Sequence, residues 1–111
     1  MPSDPRVLKV LDILKRDIAV DVAELAKRVN LSSSRLEHLF KEQIGAQLGD
    51  YILQYRLRTA AELLKSTEMR IKEIAHFVGY EHSSSFIRAF KNKFGTIPGN
   101  YRQSLARTAN E

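Results

Sequence analysis

The chain repeats itself at an offset of about half its length, and that repeat limits the folds open to it. Displaced by 49 positions, Val22, Glu24, Leu25, Ala26, Val29 and Leu31 fall on Ile71, Glu73, Ile74, Ala75, Val78 and Tyr80. Displaced by 50, Ser33, Ser34, Leu36, Phe40, Lys41, Gly45, Gly49 and Tyr51 fall on Ser83, Ser84, Phe86, Phe90, Lys91, Gly95, Gly99 and Tyr101. The additional residue enters at Glu81-His82, a loop, where an insertion costs least. A fixed period of this kind marks one supersecondary unit used twice. In each copy the apolar spacing gives a short helix, a tight turn, a second helix and the start of a third. That layout is a helix-turn-helix, whose second helix enters the major groove of duplex DNA. Ala26 and Ala75 suit it, because the first helix must let the second cross closely.

Between the copies, residues 48–64 (LGDYILQYRLRTAAELL) carry two apolar stripes. Leu48, Tyr51, Ile52, Tyr55, Thr59 and Leu63 share one side of a helix, and Leu53, Leu57, Ala60 and Leu64 lie about 140° around it. A helix apolar on two sides packs against two partners. With residues 47–66 helical the connector is about 30 Å long, a strut between two small modules. Inserting residues after Gln54 should therefore unbalance the molecule more than inserting them in the break at residues 66–70.

Ahead of the first copy, Asp4 can cap a helix opened by Pro5, along which Val7, Leu8, Leu11, Leu14 and Ile18 follow helical spacing. Asp21 and Glu24 read as a capping box, Ser32 as the cap of the next helix and Gly45 as its left-handed terminator. Pro98 opens a last short helix with Tyr101 and Leu105. The expected fold is all-α, about seven helices in two helix-turn-helix subdomains joined by a long central helix. Its parts are a flexible tail over residues 1–5, a first subdomain over 6–46, the connector over 47–66, a second subdomain over 67–105 and a frayed end over 106–111.

Lys and Arg outnumber Asp and Glu by 18 to 13, and the resulting +5 favours a polyanionic partner, since neutralised phosphates release condensed counterions. There is no long apolar run and no signal peptide, so a soluble, cytoplasmic protein without membrane contact is expected. The absence of cysteine removes disulfides, thiol catalysis and thiolate zinc sites. His38, His76 and His82 lie in different helices or turns without carboxylates at ligand spacing, so no metal and no cofactor are expected. An enzyme is not expected either: there is no glycine-rich phosphate loop and no G-x-S-x-G.

Residues 71–102, IKEIAHFVGYEHSSSFIRAFKNKFGTIPGNYR, resemble the signature of AraC/XylS-type transcription regulators. The marks are the IA…VGY turn, the S-F-x-R-x-F-K helix and the FG…P…YR close. Residues 25–45 (LAKRVNLSSSRLEHLFKEQIG) are similar to the same family's first helix-turn-helix, and residues 55–64 (YRLRTAAELL) to its linker. The resemblance spans about residues 7–105. It departs at Arg70, where relatives often carry a small residue or proline. It implies a bacterial regulator binding double-stranded operator or promoter DNA, with RNA polymerase as a further candidate partner. No small-molecule site and a monomeric chain are expected.

The outward positions of the second helices are Ser33, Ser34, Glu37, His38 and Lys41, then Ser83, Ser84, Ile87, Arg88 and Lys91. The family resemblance places base-reading residues at Ser34, Glu37, His38, Ser83, Ser84 and Arg88. A guanidinium at Arg88 can bond guanine O6 and N7 together, and Glu37 can accept from a cytosine amino group or else orient Arg35 or Lys41. Arg35, Lys41, Ser85, Lys91 and Lys93 are the expected phosphate partners, which set register without reading sequence. The competing reading is a helical protein-interaction module without specific DNA binding.

Overall fold

The computed structural model describes residues 2–110, with side chains to residue 107. Met1 and Glu111, the outer residues of the two expected tails, lie outside the described residues. Seven helices follow one another: α1 (Pro5–Arg16), α2 (Val22–Arg28), α3 (Ser33–Ile44), α4 (Leu48–Ser66), α5 (Ile71–Phe77), α6 (Ser83–Phe94) and α7 (Pro98–Asn110). The described residues contain no strand, as expected. Two compact units form, Met1–Gln54 and Tyr55–Glu111, so the division falls within α4.

In the first unit Asp4 Oδ1 accepts from the Arg6 N–H at 2.8 Å and Pro5 opens α1. The Arg6 guanidinium returns to the same carboxylate at 2.9 Å and holds it below the usual carboxylate range. Ser3 and Asp4 N–H groups donate to Gln43 Oε1 at 3.2 and 3.1 Å, so the segment before α1 is tied to the end of α3. The buried stripe of α1 is Val7, Val10, Ile13 and Leu14, whereas Leu8 is 47% exposed. It is therefore rotated from the one expected through Leu8 and Leu11. The true stripe advances by three and four residues from Val7, and Leu8 stands about 100° off it.

Asp21 Oδ1 caps α2 through the Glu24 N–H at 2.8 Å, but the expected box closes on that side only, because the Glu24 carboxylate takes the Arg28 guanidinium at 3.2 Å instead of the Asp21 N–H. After Val29 the chain turns through Asn30 at φ 58°, with Leu31 N–H donating to Ala26 O at 3.0 Å and Asn30 N–H to Lys27 O at 3.2 Å. This bond pair is a Schellman motif, which satisfies carbonyls that the helix end would leave open. Ser32 Oγ then accepts from Arg35 N–H at 3.2 Å and starts α3. Leu36 and Phe40 sit in the core with Leu25 and Ala26, and Phe40 meets the edge of Tyr51 at 5.3 Å between centroids.

The second unit rebuilds this frame. Tyr80 N–H donates to Ala75 O at 2.9 Å and Gly79 N–H to His76 O at 3.1 Å, the same pair of bonds at the same turn. Gly45 and Gly95, at φ 85° and 78°, end α3 and α6 with their N–H groups 2.8 Å from Lys41 O and Lys91 O. Arg70 is no obstacle to α5, because Glu73 in its first turn accepts from the Arg70 N–H at 2.9 Å. The core here is aromatic: Phe90 lies 5.8 Å from Phe86, 4.4 Å from Phe94 and 5.3 Å from Tyr101. Tyr80 packs against Phe86, and burial raises its phenol pKa, partly offset by the Arg56 guanidinium.

Burial on α4 changes stripe along its length. Leu48 and Ile52 are buried in the first unit, and Leu57, Ala60, Ala61 and Leu64 in the second. Arg102 on α7 donates to Leu64 O at 3.0 Å, Met69 O at 2.7 Å and Thr67 O at 3.1 Å. One guanidinium thus closes the end of α4 and the loop that follows. Helix α7 continues to Asn110, beyond the fraying expected from Ala106.

Candidate nucleic-acid interface

The second helix of each unit is positioned by its buried side. Phe40 and Phe90, at equivalent repeat positions, are fully buried, as are Leu36 and Phe86. With those positions taken by the core, the polar side of each helix faces away. Ser34, Arg35, Glu37, His38 and Lys41 are exposed on α3; Ser84, Ser85, Arg88, Lys91 and Lys93 are exposed on α6. Ser83 and Ile87 are half-buried, which leaves Ser84 the more available of the two leading serines.

Most of these side chains are uncommitted. Among the described residues, the Arg35, Glu37, Lys41, Arg88 and Lys91 side chains form no hydrogen bond or ion pair. Glu37 and Lys41 stand at the spacing of a helix ion pair and do not make one, so Glu37 orients neither Lys41 nor Arg35. His38, with 87% of its side chain exposed, lies 4.0 Å from the Glu42 carboxylate. The Lys93 ammonium sits 5.5 Å from the centre of the Phe94 ring.

The structure brings Ser34, Glu37, His38 and Lys41 together along a groove of about 470 Å³, walled by Val22 and by Gln47, Leu48 and Gly49 at the start of α4. A second groove of about 350 Å³ runs along the other flank of α3, between Ser34, Arg35, His38 and Glu42 and the pair Arg6 and Leu31. Ser34 and His38 line both grooves. Gln47 and Arg6 are among the lining residues that the sequence alone did not associate with this surface. Neither belongs to an apolar period or a repeat match, and both reach it only through folding.

The charge is unevenly shared. The first unit holds eight Lys and Arg against eight Asp and Glu, the second ten against five. The whole formal excess of +5 therefore resides in the second unit. The recognition helices show the same contrast: α3 carries Arg35 and Lys41 with Glu37 and Glu42, whereas α6 carries Arg88, Lys91 and Lys93 and no acid. Among the described residues no group of His, Cys, Asp or Glu could hold a metal ion, and no helix is long and apolar enough to cross a membrane.

Two helix-turn-helix units in tandem, each offering the polar face of its second helix, define a DNA-binding regulator domain. A family model described as a helix-turn-helix domain matches residues 25–104. The uncharacterized HTH-type transcriptional regulator YtdP of Bacillus subtilis is 39% identical over 80 residues, 72% of this chain and 10% of that protein. The probable transcription factor PqrA of Proteus vulgaris is 32% identical over 99 residues, 88% of this chain and 81% of PqrA. The C-terminal domain of AraT, a response regulator from Geobacillus stearothermophilus, has a TM-score of 0.83 at 31% identity, covering 91% of this chain and 86% of that one. The DNA-binding domain of AdpA, solved in complex with a target DNA, shares the fold at a TM-score of 0.87 and 22% identity, over 98% and 99% of the two chains. The chain belongs to the helix-turn-helix family of AraC/XylS-type transcription regulators. It spans 10% of the length of YtdP and 30% of that of the Msm operon regulatory protein of Streptococcus mutans.

Proposed function

We propose that the chain binds duplex DNA sequence-specifically as a monomer, setting α3 and α6 into successive major grooves of a non-palindromic promoter site. The observation that carries this reading is the repetition of one frame around two recognition helices on which Arg35, Glu37, Lys41, Arg88 and Lys91 stand outward with no hydrogen bond or ion pair among the described residues. A monomer with unlike heads needs no two-fold symmetry in its site. Ser34, Glu37 and His38 on α3 and Ser83, Ser84 and Arg88 on α6 read base edges; Arg35, Lys41, Ser85, Lys91 and Lys93 hold phosphates. PqrA is named a probable transcription factor and the AdpA domain was solved on its target DNA, which supports the same role here.

Selection of bound sequences from random duplexes, followed by titration at several salt concentrations, tests the proposal. With about six phosphates contacted, log K should fall against log salt with a slope near −5. Equal affinity for all duplexes, or a flat salt response, overturns it in favour of a protein-interaction module.

A further inference from the structure

The internal repeat supplies a comparison between two helices built on one frame. Displaced by 50 positions, Glu37 becomes Ile87, His38 becomes Arg88, Glu42 becomes Asn92 and Gln43 becomes Lys93. Leu36 and Phe40 meanwhile keep buried apolar counterparts in Phe86 and Phe90. The charge-changing differences fall outside the buried positions, and they remove every acid from α6. A surface that only neutralised phosphates would gain from the same change in α3, because each carboxylate there opposes the polyanion. Glu37 nevertheless stands in the groove beside Ser34, His38 and Lys41, exposed and without a partner. No packing or pairing within the unit accounts for it.

We propose that Glu37 works as a carboxylate filter on α3, one that admits a cytosine amino group at a single position of the site and turns the other bases away. This rests on the DNA-binding function proposed above. The selectivity follows from the edge chemistry of the major groove. Cytosine presents an N4 amino donor, to which a carboxylate can only be an acceptor. Guanine presents acceptors at O6 and N7, and thymine an acceptor at O4 beside a methyl group, all of which repel it. Adenine pairs its N6 donor with an N7 acceptor, a pattern that suits an amide and not a carboxylate. A group that repels phosphate, guanine and thymine and only half matches adenine lowers affinity for DNA at large while sparing one sequence, which is how a repulsive element confers specificity. The first unit, with its charges balanced, adds little sequence-blind attraction to obscure that choice.

The experiment uses the intact chain, Glu37→Gln and, as a charge control, Asp12→Asn. Asp12 lies on α1 in an exposed ion pair with Arg16 at 3.3 Å, and its loss changes the charge of the same unit by the same amount. Each protein selects sites from random duplexes and is then titrated on the selected duplex and on its single-base variants. The parent should select cytosine at one position and disfavour the other bases there roughly 5- to 150-fold. Glu37→Gln should transfer that one preference to adenine, leave the other positions unchanged, and bind arbitrary duplex more tightly at low salt. Asp12→Asn should leave every preference in place. If Glu37→Gln selects the parental sequence unchanged, the filter is wrong while specific DNA binding stands. If the parent itself selects nothing, the function proposed above fails and the filter with it. Coincident thermal melts of the three proteins exclude misfolding as the cause of either result.

Discussion

Arg88 and Arg102 carry the same guanidinium and spend it on different partners. Arg102 donates to three main-chain carbonyls of its own unit and is partly buried, so its removal leaves Leu64, Thr67 and Met69 oxygens short of a donor. We expect Arg102→Met to cost about 2–4 kcal/mol of stability, since charge-assisted bonds exceed neutral ones and the abandoned carbonyls are poorly solvated. Arg102→Lys should recover only a fraction, because one ammonium cannot match a fork aimed at three oxygens. Thermal unfolding of both variants checks this, and full recovery by lysine would deny the geometry its role. Arg88 is exposed and unpaired, and the opposite pattern is expected of it: Arg88→Ala should leave the melt unchanged and cost roughly 1–3 kcal/mol of binding with relaxed preference at one or two base pairs. Lys91→Ala should weaken binding to all duplexes alike, read from the same titrations. A uniform loss at Arg88 would make it a phosphate contact. The outward place of Arg88 was legible in the helical period of its neighbours. The staple at Arg102 was not, because its partners lie 33 to 38 positions away and a local pattern carries no trace of them.

Helix ends were the most readable elements. Asp4, Asp21, Ser32, Gly45 and Gly95 all cap where their chemistry directs, since a cap depends on residues within a turn of it. The stripe of α1 was less readable. Leu8 and Leu11 are as apolar as Val10 and Ile13, and only the shape of the unit decides which pair is buried. The end of α7 was underestimated because Ala106–Thr108 offers no apolar period, although nothing there breaks a helix. The glycines separate backbone need from mere presence. Gly45 and Gly95 hold positive φ, so alanine at either should cost about 1–2 kcal/mol. Gly49 and Gly99 have no such φ, and an added Cβ meets no atom within 4 Å. Alanine there should leave stability unchanged or raise it by up to about 1 kcal/mol, since glycine is the poorer helix former. Denaturant midpoints for the four single variants should fall into these two groups. A loss at Gly49 or Gly99 equal to that at Gly45 would refute the distinction.

At the scale of the whole chain, α4 runs through both units, and the boundary after Gln54 falls between its two groups of buried residues. Leu48 and Ile52 precede the boundary, and Leu57, Ala60, Ala61 and Leu64 follow it. Two residues inserted after Gln54 would lengthen α4 by about 3 Å and turn one end against the other by about 200°. The insertion falls between the two compact units, so stability should fall less than an insertion inside either unit would cause. Binding should respond differently. If α4 sets the span and rotation between two reading heads, the insertion should abolish preference for the selected site while leaving salt-dependent binding to arbitrary duplex. The break at residues 66–70, expected from sequence to be the tolerant place, should prove the sensitive one for stability. Thr67 and Met69 oxygens are held there by Arg102, and Thr67 Oγ1 donates to Leu63 O. Inserting two residues after Glu68 displaces those acceptors and should lower the melting temperature more than the insertion after Gln54. Melts and titrations of both insertions decide the matter. Parental affinity in the Gln54 insertion would mean that α4 does not fix the spacing and that the units act as tethered readers. A loop insertion as stable as the parent would mean that the Arg102 staple re-forms at another register.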